Sequence, residues 1–302
     1  MKCRHRRLFA IMLFCFLVVT ASPTMAQTDQ ETASQKVDQP NSIFPDKALE
    51  KAIRAEVFEK RFNDDPITVD DVAKISRVVA SGKGIKSLEG LQHCGSLMLI
   101  DLSNNRITDL RPLAKLTRLQ SVTLSGNLIS NIQPLAKLTA MQLLDLSGNQ
   151  LTSLNAIEGM HNLRTLYAAD NELTEIEPVA GLEKIWSLDV AGNRLTDLKP
   201  LSNLTWLTTV EVSDNKIESL SPLKGLRDLD LLILSGNPLS SIDPLVDMCQ
   251  ADAEGDRRFA PYLDVYLTPE QMESSALVDG LERLRRLGVR LHEYQRSVPA
   301  RK

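Results

Sequence analysis

Residues that usually carry chemistry are scarce in this chain. Of its 302 residues four are histidine and four are cysteine, and aromatics make up only 4%. Past the first few residues the histidines are His93, His161 and His292, scattered with no metal-ligand spacing, so no metal centre is expected. No G-x-S-x-G, H-E-x-x-H or phosphate-loop pattern occurs, which removes the common hydrolase, metalloprotease and nucleotide-binding signatures. Nothing after Val19 is apolar enough to cross a bilayer. A core so poor in rings must be aliphatic, and hydrophobic residues do make up 43% of the chain.

The first 26 residues are of a different kind. Lys2, Arg4, Arg6 and Arg7 precede an unbroken apolar run from Leu8 to Val19, and small residues follow from Ala21 to Ala26. This order is that of a secretory signal peptide, with Thr24-Met25-Ala26 or Val19-Thr20-Ala21 at the cleavage site. The alternative is an uncleaved membrane anchor. Export to the periplasm or the extracellular space is expected, with no stable membrane insertion after cleavage. Removing residues 1–26 takes away four of 35 basic residues and none of 39 acidic ones, leaving 31 against 39, a net charge of −8. That balance excludes nucleic acid, whose phosphates need a basic face, and weakly favours a basic partner.

What the remaining chain has in abundance is repetition. Asn105, Asn127, Asn149, Asn171, Asn193, Asn215 and Asn237 follow one another at a constant step of 22 residues. Around each lies the frame seen in Leu97, Ile100, Leu102, Asn105, Ile107, Leu110 and Leu113. Self-similarity at this period in the form L-x-x-L-x-L-x-x-N-x-L reads as a leucine-rich-repeat solenoid. Eight frames run from Ile75 to Gln250, the first degenerate because Lys83 stands where the asparagine should be. Each frame alternates like a short strand around its fourth and sixth positions, as in Leu188-Asp189-Val190. One frame cannot bury its own apolar face, so each depends on its neighbours. The asparagine amide, buried in the turn after the strand, is expected to bond backbone groups of its own and the next repeat; a catalytic asparagine is the sharper alternative.

The residue before it is Gly126, Gly148, Gly192 or Gly236 in four frames and Asn104, Asp170 or Asp214 in three. These types tolerate a left-handed turn. Pro112, Pro134, Pro178, Pro200, Pro222 and Pro244 recur at the sixteenth position and leave no room for a long outer helix, so short 3₁₀-like segments are expected on the convex side. Cys94 and Cys249 lie seven repeats apart, ~34 Å at strand spacing, too far to pair. Cys94 takes a position that leucine fills in other frames, as a buried thiol would.

The sequence divides into a signal peptide (1–26), a flexible leader (27–43), a helical N-terminal cap (44–74), eight repeats (75–250), an enlarged last repeat with a C-terminal cap (251–296) and a frayed tail (297–302). In the N-terminal cap a helix over Asp46–Arg61 and a second, opened by a Thr68/Asp71 capping box, through Lys74 are expected. Gln250 to Arg258 reads as an irregular charged stretch. Leu263-x-Val265-x-Leu267 restores a strand, and one helix after Thr268-Pro269 carries Leu277, Leu281, Leu284 and Leu287 inward before stopping at Gly288. A last strand over Val289–His292 completes a cap that hides the open edge.

The 22-residue frame, the Pro-Leu pairs such as Pro112-Leu113 and Pro222-Leu223, and the helical cap with Ile67-Thr68 resemble the bacterial internalin-like leucine-rich-repeat proteins. The resemblance covers Phe44 to Val246. It implies an α/β solenoid with a curved parallel sheet on the concave face, which binds a protein. The sequence given shows no immunoglobulin-like domain or sorting signal after the repeats, so an adhesion or virulence role does not carry over.

The concave face is formed by the third, fifth and seventh positions of each frame. The fifth gives Val79, Asp101, Thr123, Asp145, Tyr167, Asp189, Glu211 and Ile233, an acidic row with Tyr167 in the middle, and Trp186 and Trp206 near the same edge. Tyrosine and tryptophan are favoured interface anchors. A surface made of Asp101, Thr123, Asp145, Tyr167, Trp186, Asp189 and Glu211 is therefore the candidate ligand site of a monomeric scaffold for an unidentified protein or peptide. The alternatives are a solvated face that binds nothing, and an envelope glycan stacked on Tyr167 and Trp186. No cofactor is expected. An enzyme is not expected either: of the acids only Asp189 and Glu211 stand on adjacent strands, ~4.8 Å apart, and an open face offers no pocket to raise one pKa above the other. Asn63, Asp64, Asp65 and Asp70 could hold calcium, against the plainer reading of a solvated turn.

Overall fold

The computed structural model describes residues 42–255 and 258–297. The expected signal peptide, most of the leader and residues 298–302 lie outside them. Ten parallel strands make one sheet in strict sequence order. They are β1 Arg77–Val79, β2 Leu99–Asp101, β3 Ser121–Thr123, β4 Leu143–Asp145, β5 Thr165–Tyr167, β6 Ser187–Asp189, β7 Thr209–Glu211, β8 Leu231–Ile233, β9 Asp264–Leu267 and β10 Arg290–Glu293. Register is constant: Val79 pairs with Asp101, Asp101 with Thr123, and so on through Glu211, Ile233, Tyr266 and His292. One row of side chains therefore runs the length of the concave face.

The frame residues go inside. Leu97, Ile100, Leu102, Ile107, Leu110, Leu113 and Leu116 are all buried, as are their counterparts in the other coils. Convex connections are 3₁₀ segments of three to five residues, for example Arg111–Leu113, Gln133–Leu135 and Glu177–Gly181, each with proline at its start. Proline fixes φ there and lacks the N–H that a helix start leaves unsatisfied. Cys94 and Cys249 are buried free thiols, and burial pushes both up to about 12.

The asparagine turns are satisfied in one direction. Asn105 Nδ2 donates to the Leu102 and Ser103 carbonyls of its own coil and to Ala80 of the coil before, at 2.8, 3.1 and 2.9 Å. Its Oδ1 accepts the N–H groups of Lys83 and Ile85, both at 3.0 Å. The neighbour that each asparagine serves is the preceding repeat, not the following one as the sequence suggested. That direction explains how the first coil closes with Lys83 at its turn: Asn105 supplies the acceptors from outside.

The caps differ from expectation in several places. α1 spans Lys47–Glu56 and stops before Arg61, because Val57 turns extended to bury its side chain, and Phe58–Lys60 is 3₁₀. Arg54 Nη1 then holds the returning loop through the carbonyls of Asn63 and Asp65, each at 2.9 Å. α2 is a single turn, Val69–Val72, with Asp71 accepting the Thr68 N–H at 2.7 Å. In the eighth coil an α-helix, α3 Asp243–Glu254, replaces the 3₁₀ segment and takes up part of the stretch read as irregular; it buries Leu245, Val246, Met248 and Cys249. The helix expected after Thr268 is two: α4 Pro269–Met272, closed by a Thr268/Gln271 capping box, and α5 Val278–Arg286. Leu277, Leu281 and Leu284 are buried, whereas Leu287 is only partly so. Nor does the C-terminal cap hide the sheet edge. It supplies the edge strand, β10, whose Arg290, His292 and Glu293 are the kind of residues that discourage edge pairing.

Candidate functional site

Each acid of the fifth-position row has a local task. Asp101, Asp145 and Asp189 each accept, at 3.0 Å, the N–H of the residue two further on, Ser103, Ser147 and Ala191. Glu211 accepts the Ser213 hydroxyl at 3.0 Å. A carboxylate here closes the strand exit as an Asx-type turn. The recurrence of acids in the row thus has a structural cause besides any ligand.

The concave positions are not equivalent along the stack. Val79, at the N-terminal end, is 55% exposed, whereas Asp101, Thr123, Asp145, Tyr167, Asp189 and Glu211 are half-buried. Trp186 lies one residue outside β6, yet its Nε1 donates to Thr165 Oγ1 at 2.9 Å, and Thr165 shares the concave side of β5 with Tyr167. That bond places the indole beside Tyr167's strand. The Trp186 ring is 52% exposed and Trp206 64%.

What the sequence did not reveal is the C-terminal end of the face. The row continues past Ile233 into Tyr266 and His292, whose rings stack with centroids 4.6 Å apart. His292 Nε2 lies 2.6 Å from Asp264 Oδ1, and Arg290 Nε holds the same carboxylate at 2.8 Å. Beyond β10 the ladder with β9 runs one bond further. Tyr294 N–H donates to the Leu267 carbonyl at 2.8 Å, and its ring meets Tyr266 edge-on at 6.0 Å. Arg296 then reaches back to the fifth coil, where Nη1 and Nη2 donate to the two oxygens of Asp170 at 2.8 and 2.5 Å.

This segment changes the electrostatics of the row. Burial and the neighbouring Glu211 push the Asp189 carboxyl up to about 6, partly offset by the Ala191 N–H and by Arg296. Asp214 is raised by burial and by Asp170, against the pull of Arg296. Tyr294 is raised by burial and by Glu211, and Arg296 is raised first by its bond to Asp170. The expectation that an open strand face leaves its carboxyls unshifted is overturned at Asp189. In the sequence Asp170 and Asp214 read only as turn-forming residues; a charged residue where glycine would serve is the signal available.

Elsewhere the Asn63–Asp70 loop is closed by its own groups, Asn63 Oδ1 accepting the Asp65 N–H at 3.1 Å. Among the described residues no group of three or more His, Cys, Asp or Glu is arranged to hold a metal ion.

Parallel strands in sequence order, 3₁₀ returns and a buried asparagine at seven successive turns define a leucine-rich-repeat solenoid. The model of the family Leucine Rich repeats (2 copies) matches residues 99–137, 139–184 and 187–225. The solved structure of internalin C2 from Listeria monocytogenes str. 4b F2365 is 37% identical, covers 70% of this chain and 95% of that one, and superposes with a TM-score of 0.66. Internalin H of Listeria monocytogenes serovar 1/2a is 35% identical over 112 residues, 36% of this chain; that stretch is 20% of the relative's length. The plant peptide hormone receptor RGFR1, solved in complex with RGF2, shares the fold alone: 24% identity, 59% of this chain, 29% of that one, TM-score 0.50. The chain belongs to the internalin-like bacterial leucine-rich-repeat proteins. Proteins of this fold act as protein-binding scaffolds.

Proposed function

We propose that this chain is an exported, non-catalytic scaffold that binds a protein or peptide on its concave strand face. The observation that carries the reading is the unbroken fifth-position row, set in register over ten strands, with Tyr167 between Asp145 and Asp189. A stiff row of this kind presents an aromatic anchor and fixed charges at little entropic cost on binding. Asp101, Thr123 and Glu211 extend the surface on either side, and Trp186 widens it through its bond to Thr165. The scaffold works as a monomer, without a cofactor.

The test compares wild-type protein with the triple variant Asp145→Asn, Tyr167→Ala, Asp189→Asn as immobilised bait, with far-UV circular dichroism to check that the fold is kept. Loss of the captured protein set from the variant supports the concave site. Unchanged capture moves the site elsewhere. Trp186 and Trp206 are exposed enough to stack on sugar rings, so a cell-wall polysaccharide arm is run in parallel; retention there, with no protein captured, overturns the protein-ligand reading.

A further inference from the structure

Arg296 and Arg54 are the two well-shielded arginines among the ion pairs of the described residues; Arg54, at 16% exposed, lies within the N-terminal cap, and Arg296 reaches across the sheet. Its side chain is 12% exposed, whereas Arg111, Arg258 and Arg286 in their surface pairs are 83%, 59% and 77% exposed. Two-pronged guanidinium–carboxylate pairing of this sort is among the stronger charge-assisted contacts. Its partner Asp170 is 126 residues away in sequence. Five strand steps along the sheet amount to ~24 Å, and the three residues from Glu293 to Arg296 reach only ~10 Å. The Arg296 and Asp170 side chains span the rest of the gap, so the segment after β10 lies back along the sheet toward the fifth coil.

The floor beneath the guanidinium is shaped for it. Gly192 occupies the turn between those of Asp170 and Asp214, and a Cβ there would lie 2.5 Å from Arg296 Nη1 and 2.5 Å from Asp170 Oδ1. The walls carry more charge than one cation can answer. Asp170, Asp189 and Glu211 all act on Arg296, which also acts on Asp214. Asp189 stays pushed up to about 6 with Arg296 in place, first by burial and then by Glu211 and Asp170. A clamp that served only to tie down the chain end would need one carboxylate. Four carboxylates against one guanidinium leave a demand for further positive charge.

We propose that Asp170, Asp189, Glu211 and Asp214 form an arginine-binding site for a basic, extended peptide segment of the partner, and that Arg296 is its intramolecular occupant, which the partner displaces. This rests on the concave-face reading above and names the ligand chemistry of that face. Tyr294, packed on Tyr266 at the end of the row, holds the occupying segment in line.

The probe is a fluorescent synthetic peptide with the sequence of residues 294–302, and the same peptide with citrulline for each arginine. Both are titrated into full-length wild type, Arg296→Ala, and Arg296→Ala with Asp170→Asn. The vacated site should bind the arginine peptide about tenfold or more tightly than wild type, and lose that gain with the citrulline peptide and with the second substitution. Equal binding by wild type and Arg296→Ala, or equal binding of the two peptides, overturns the proposal. Should Arg296→Ala fold poorly, the arginine Nε–H resonance of Arg296 in ¹⁵N-labelled wild type is followed instead. Peptide binding must release it, and a resonance that stays put at saturation overturns the proposal equally. If the triple concave variant abolishes ligand capture while Arg296→Ala gains nothing, the arginine site falls and the wider reading stands.

Discussion

The side-chain carbonyl of Asn127 accepts the backbone N–H of Ile107, in the coil before it, at 3.0 Å. The amide of the same side chain donates to Leu102 in that earlier coil and to Leu124 in its own, at 3.0 and 2.8 Å. One buried side chain thus satisfies a donor and acceptors on two coils at once. Asn127→Ala should strand all of them, at a total cost of about 2–5 kcal/mol, given ~1–3 for each buried group left unpaired. Asn127→Asp should do no better, because a carboxylate cannot donate to the two carbonyls. Urea unfolding measures this, and a loss under about 1 kcal/mol would show that water takes over the role.

One carboxylate bridges the N-terminal cap and the first coil. Asp46 Oδ1 accepts the N–H groups of Ala48 and Leu49 at the start of α1, while Oδ2 accepts those of Lys86 and Ser87 in the first coil, at 2.8 and 3.1 Å. Burial alone would push this carboxyl up, but the four donors outweigh it and hold it below its ordinary value. An ordinary N-cap loss costs ~1 kcal/mol; Asp46→Ala should cost about 2–4 because it also unpins the first coil. Since the folded carboxyl titrates lower than the unfolded one, its contribution is complete above the unfolded value and fades as pH falls toward the folded one. Thermal melts of wild type and Asp46→Ala should therefore converge on acidification from pH 6 to pH 3, and a constant gap would refute the assignment.

Most of the fold could be read from residue order because the period is carried by side chains whose burial is obligatory. Leu97, Ile100, Leu102 and Asn105 leave the chain no other register. Helix ends are less legible. Val57 breaks the expected helix to reach the core, and α3 lengthens a segment that in every earlier coil is a 3₁₀ turn. The least legible feature is Arg296, whose partner Asp170 is 126 residues earlier in the chain. No local pattern encodes that meeting. Asp170 and Asp214 were visible only as turn residues, and their φ values of 54° and 50° bear that out.

The residue before each asparagine gives a test of neighbour dependence. All seven, from Asn104 to Gly236, have positive φ, so asparagine fits the backbone at any of them. What differs is the space. A Cβ at Gly148 would meet Gly126 N at 3.4 Å, ordinary contact, whereas at Gly192 it would collide with Asp170 and Arg296 at 2.5 Å. Gly148→Asn should be neutral within about 1 kcal/mol. Gly192→Asn should cost about 1–3 kcal/mol. Chemical denaturation of the pair decides it, since equal effects would mean that the Arg296 segment yields freely.

Asp189 makes the pH dependence of the concave face specific. In the folded chain its carboxyl titrates at about 6, against an ordinary 3.8. Between those values the folded state holds a proton that the unfolded state has lost, so this group lowers stability as pH rises from about 4 to about 6 and adds nothing further above. The charge on Asp189 is then a standing cost at neutral pH, at most about 3 kcal/mol for a shift of this size. Asp189→Asn keeps an acceptor for the Ala191 N–H and removes the charge. The variant should be more stable than wild type at pH 7.5, by up to about 3 kcal/mol, and by under about 1 kcal/mol at pH 4. Removing Arg296 should raise the Asp189 titration further, because its guanidinium lowers it in the folded chain. Carboxyl ¹³C titration of wild type and Arg296→Gln reads this directly. An Asp189 midpoint near 4 in wild type, or one unmoved in Arg296→Gln, would show that the segment beyond β10 does not lie over the acidic row in solution.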